Sequence, residues 1–136
     1  MNPKLKQYEA GIEENVKPED KEAYDRIVTA GMKLSTSDDM QQKMVDSLSG
    51  EGDLPSKVAD GIARLMSLMH TTSQSTMPVG PAIAASYTLM VKALDFAERA
   101  LGQKVDDEVI AQTALATSEA VCKVFGLSKE KLQAAV

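Results

Sequence analysis

The sequence is poor in aromatic side chains, with no Trp, two Phe and three Tyr in 136 residues. A core without aromatics must be built from Leu, Ile, Val, Met and Ala, side chains that suit helices better than sheets. Cysteine is nearly absent. Cys122 alone cannot close an intrachain disulfide, and small secreted domains are usually richer in Cys. The single histidine, His70, cannot supply a multi-His zinc site, and one Cys does not complete it. No apolar segment follows the basic residues near Met1, so no signal peptide is expected and synthesis in a cytoplasm is.

Positive charge is also scarce. Lys and Arg number 15 against 20 Asp and Glu, for a net charge of −5. Residues 1–50 carry 7 basic and 10 acidic groups, and no segment forms a basic block. The electrostatic footprint of nucleic-acid binding is missing, as is a polybasic patch for an anionic membrane. No direct sequence-specific nucleic-acid partner and no membrane contact are expected. The longest uncharged stretch, Leu65 to Val91, is 27 residues long. Its polar centre, Thr71 to Thr76, and the breakers Pro78, Gly80 and Pro81 read as two helices joined by a loop, not as a membrane span.

What is present is helical periodicity. Leu5, Tyr8, Ile12 and Val16 form a weak stripe in residues 1–17, readable as a helix or as an arm. Pro18 opens a second helix, with Ala23, Ile27, Val28, Gly31 and Met32 on one face and an end near Leu34. A third carries Met40, Met44, Val45 and Leu48, capped by Ser35, Thr36 or Ser37. The clearest loop is Ser49-Gly50-Glu51-Gly52-Asp53. Asp53 then caps a helix bearing Leu54, Val58, Ile62, Leu65, Met66 and Met69. A fifth helix starts around Pro81. It is the densest in apolar residues, hence the expected central helix, with Gly102 as its C-terminal cap. Asp106 caps a sixth, whose apolar face runs from Val109 to Phe125, and Ser128 caps a short last one carrying Leu132.

No segment alternates like a strand, and no hairpin signal joins β-rich runs. The expected fold is all-α, a bundle of five or six helices. Its expected division is an acidic N-terminal arm or hairpin, residues 1–50, hinged near Gly50–Gly52 to a helical core, residues 51–136, with one single domain as the alternative.

Catalytic and ligand-binding motifs are not found. There is no phosphate loop, and Asp38-Asp39 and Asp106-Asp107-Glu108 sit where helix starts favour carboxylates. His70 reads as a surface or helix-end residue and Cys122 as a buried small hydrophobe. The expectation is a non-enzymatic chain with no catalytic, cofactor-binding or metal site. The eight methionines are the unusual bulk property. Most read as core. Met66, Met69 and Met77, flanking the polar connector, are candidates with Pro78 and Val79 for an apolar protein interface, because Met-rich surfaces adapt to variable partners.

Three short segments carry a family resemblance: Arg64-Leu65-Met66-Ser67-Leu68-Met69, Thr76-Met77-Pro78-Val79 and Ala93-Leu94-Asp95-Phe96. Over residues 64–132 the chain resembles small helical virion proteins of tailed bacteriophages. The resemblance implies a structural subunit present in many copies, in the head, the neck or an internal, ejected core. The functional expectation is thus a structural or assembly subunit that packs helices with copies of itself and with other structural proteins. The alternative is a soluble acidic adaptor or regulatory binding module.

Overall fold

The computed structural model of the chain describes residues 1–74 and 76–126. Six α-helices occupy most of that length: α1 (Pro3–Asn15), α2 (Lys21–Ser35), α3 (Asp38–Ser49), α4 (Leu54–Thr72), α5 (Val79–Leu101) and α6 (Asp107–Val124). A 3-10 turn, Pro18–Asp20, precedes α2. No strand occurs among the described residues, and the fold is the expected all-α bundle. The expected short helix around Leu132 lies outside them.

Helix starts follow local chemistry. The Asn2, Asp53 and Asp106 side chains accept hydrogen bonds from the Lys4, Ser56 and Val109 amides at 2.9, 3.2 and 2.9 Å. These bonds hold the Asp53 and Asp106 carboxyls below the usual carboxylate range. Ser37 occupies the N-cap of α3 without a capping bond. Its hydroxyl instead donates to the Leu34 carbonyl at 2.8 Å, closing the end of α2. Gly102 ends α5 in the left-handed conformation, φ +65°.

Helix α5 is the centre of the molecule. Its buried residues, from Pro81 to Ala97, point in every direction around the helix axis, and all five other helices contact it. A helix that is apolar nearly all round can be stable only when enclosed in this way. Helix α4 lies antiparallel to α5 after a short connection and packs most extensively on α6. α4 and α6 run in the same direction. Gln103, just before α6, donates to the Leu48 carbonyl just before α4, while the His70 and Phe125 rings meet at the far ends.

Helices α1 and α2 cover another side of α5. Asn2 donates to Glu98 and to the Val105 carbonyl, at 3.1 and 3.0 Å, fixing the start of α1 beside the end of α5. Glu9 pairs with Lys92 at 2.9 Å. Leu5 is fully enclosed, so the weak N-terminal stripe forms a docked helix. Helix α2 crosses α5 at Gly31, where a Cβ would lie 2.7 Å from a methyl of Leu89. Leu5, Tyr24, Ile27 and Leu48 share one hydrophobic cluster with residues of α4, α5 and α6, so core residues come from both sides of the Gly50–Gly52 loop.

Candidate functional site

The structure separates the methionines into two groups. Met66 is 0% exposed and Met69 7% exposed, both inside the core. Their stripe on α4 also carries Val58, Ile62 and Leu65, and it is consumed by packing within the chain. The expectation that Met66 and Met69 contribute to an exposed apolar patch is corrected on that ground. Met77 and Val79 are half-buried against the core, and Pro78 is exposed. Met90 is fully enclosed in α5.

The remaining four, Met1, Met32, Met40 and Met44, line a groove of about 720 Å³. Its walls are the last turn of α2 and one face each of α3, α4 and α5. Leu65, Leu68, Leu89 and Phe96 continue the apolar lining. Leu68 is 45% exposed, which is high for a leucine and marks the open side. The size is that of grooves and pockets that take ligands.

The groove exists because α3 is held at its ends and packs sparsely between them. Leu48, near its C-terminus, is its one buried residue. There Lys57 Nζ donates to the Leu48 and Gly50 carbonyls, at 2.9 and 2.7 Å, and Gln103 donates to Leu48 at 2.7 Å. These donors satisfy carbonyls that a helix end leaves unpaired. At the other end the link to α2 is only two residues long. Met40, Met44 and Val45 between these anchors stay half-buried. On the opposite wall, Gly61 and Ala93 leave room that larger side chains would fill.

Charge is distributed unevenly around the groove. Lys43, Lys57, Arg64, Lys92 and Arg99 line it, with Asp95 as the single acidic residue. In a chain of net charge −5 this is a local reversal of sign. Asp95 is 5% exposed. Its Oδ2 accepts from Arg99 at 2.7 Å, and its Oδ1 is enclosed without a hydrogen-bond partner. Lys43 and Arg64 have no ion-pair partner among the described residues.

A smaller groove, about 590 Å³, lies between α1 and the start of α5. Tyr8, Ile12 and Tyr87 line it, and burial together with Tyr87 pushes the Tyr8 phenol up. His70 and Cys122 belong to neither groove. The His70 ring meets Phe125 edge-on, centroids 5.0 Å apart, and Cys122 is buried on α6. Among the described residues no group of three or more His, Cys, Asp and Glu side chains is placed to hold a metal ion, and no helix is long and apolar enough to cross a membrane.

The sequence reading missed this groove because its residues come from four helices and its charges are never adjacent in the chain. The signal is a second stripe on α4 and on α5. Lys57, Gly61, Arg64 and Leu68 follow a spacing of four, three and four, and Lys92, Phe96 and Arg99 follow four and three. Such spacings place residues on one face, and here that face is not the core face. Compared with protein-family models, with curated proteins and with solved structures, the chain gives no match.

Proposed function

We propose that this chain is a non-enzymatic helical binding module that works by packing helices against a protein partner, with the methionine-lined groove as its contact surface. The observation that carries this reading is the groove itself: an apolar cleft, open on one side, beneath a helix that buries a single residue. Flexible, polarizable methionine side chains let such a cleft adapt to its occupant. The closed core supports a module over a subunit whose core is shared between copies, because α4 and α5 spend their apolar stripes within the chain.

A second reading, a virion subunit in many copies, draws on the resemblance of residues 64–132 and on Leu115. That side chain is 62% exposed on α6, a large apolar group available for contact with another copy. The two readings differ in solution mass. Light scattering after size exclusion, at two concentrations about twentyfold apart, should return a monomer of 14.6 kDa at both. Mass that grows with concentration, or a discrete oligomer, would replace the module with the assembly subunit.

A further inference from the structure

The sign and the spacing of the charges around the groove specify its occupant, on the reading that the groove is a docking surface. We infer that the groove takes an acidic amphipathic α-helix of a partner protein, with one hydrogen-bond donor set in the apolar face of that helix. Five basic side chains and one acidic side chain line the groove, against a negative total for the chain. At physiological salt, charges more than about 8 Å away are largely screened. An occupant therefore responds to the groove's local charge more than to the total, and acidic flanks complement it.

The placement of these charges favours a helix over a small anionic amphiphile. Lys57 and Arg64 are seven residues apart on α4, and Lys92 and Arg99 are seven apart on α5. Seven residues of helix span about 10.5 Å. Because α4 and α5 are antiparallel, Lys57 and Arg99 lie toward one end of the groove, where Lys57 and Gln103 meet the same Leu48 carbonyl, and Arg64 and Lys92 lie toward the other. One carboxylate headgroup needs one cluster of cations. Cations at both ends of an apolar cleft, about two helical turns apart, match carboxylates repeating along a helix whose apolar face enters the cleft.

Asp95 adds the specificity element. Its Oδ2 is held by Arg99, while Oδ1 is buried in the wall without a partner. A buried carboxylate oxygen that accepts nothing is costly, and a donor from the occupant relieves it. An Asn or Gln within the partner's apolar face supplies that donor. A wholly apolar face leaves Oδ1 unpaired, so Asp95 discriminates between otherwise similar helices.

The test uses the full chain and fluorescein-labelled helical peptides of about 16 residues with identical Leu faces. One has Glu flanks and a central Asn, one has Glu flanks and a central Leu, and one has Lys flanks and a central Asn. Fluorescence anisotropy should show the Glu-flanked, Asn-centred peptide binding tightest, at least tenfold tighter than the Lys-flanked one. The double variant Lys43→Glu with Arg64→Glu, both exposed and without ion pairs, should weaken it about tenfold and leave the far-UV circular dichroism unchanged. Gly61→Trp, at an exposed position where a Cβ meets nothing, should abolish binding by filling the mouth. Tighter binding of the Lys-flanked peptide, still blocked by Gly61→Trp, would overturn the acidic occupant and leave the groove reading standing. Equal binding of the Leu-centred peptide would remove the role of Asp95. Dodecanoate displacing the acidic peptide at equal or lower concentration would replace the helix with a small amphiphile. If no peptide binds and dodecanoate does not, both this inference and the docking function fail.

Discussion

Tyr24 and Thr88 share a hydrogen bond of 2.6 Å between two buried hydroxyls, joining α2 to the central helix. Burial holds the Tyr24 phenol above its usual range, so it stays protonated and available as a donor. Tyr24→Phe should lower stability by about 1–2 kcal/mol, since it strands the Thr88 hydroxyl inside the core. Thr88→Val in the same chain should recover part of that loss, because it removes the stranded group. Urea unfolding of both single variants and the double variant measures the coupling, and strictly additive losses would mean that the two hydroxyls do not act as a pair. At this scale the sequence was uneven to read. The apolar stripe of α2 was legible from its spacing, but it was placed on Ala23, whereas Tyr24 is the residue that turns inward. On α6, Thr113 and Thr117 are fully enclosed, although their polarity reads as surface. Thr113 manages this by donating to the Val109 carbonyl one turn back, a local bond that composition does not reveal.

At the scale of elements, three helical glycines occupy contrasting surroundings. A Cβ at Gly11 or Gly61 would meet nothing within 4 Å, while one at Gly31 would press on Leu89. Gly11→Ala and Gly61→Ala should each raise stability by about 0.5–1 kcal/mol, by restricting the unfolded chain and improving helix propensity. Gly31→Ala should lower it by about 1 kcal/mol, because overpacking a buried contact of α2 with α5 outweighs the gain in propensity. Thermal unfolding of the three variants checks the order, and a stabilised Gly31→Ala would mean that α2 does not press on α5 at that point. Helix positions were largely legible, because capping residues such as Asp53, Asp106 and Gly102 act locally and announce themselves in sequence. The central place of α5 was legible too, from apolar residues on all its faces. The loose seating of α3 was not. Its Met40, Met44, Val45 and Leu48 stripe has the pattern of a buried face, and only tertiary packing decides that Leu48 alone is enclosed.

On the scale of the whole molecule, most of the apolar surface of α4 and α5 is spent internally, and the larger of the two grooves left open carries a local charge opposite to that of the chain. The methionines show why sequence could not separate core from site. All but Met1 fall at or beside apolar positions, yet Met66, Met69 and Met90 complete the core while Met32, Met40 and Met44 line the groove. The partition depends on which faces the other helices cover, and a single helix pattern does not encode that. The same partition offers a direct measurement. With methionine methyl groups labelled with carbon-13, each methyl reports on its own surroundings as the Glu-flanked, Asn-centred peptide is titrated into the full chain. The expected result is large, saturable shifts at Met32, Met40 and Met44, with Met66, Met69, Met77 and Met90 nearly still. Shifts confined to Met77, or spread evenly over all eight methyls, would contradict the groove as the docking surface.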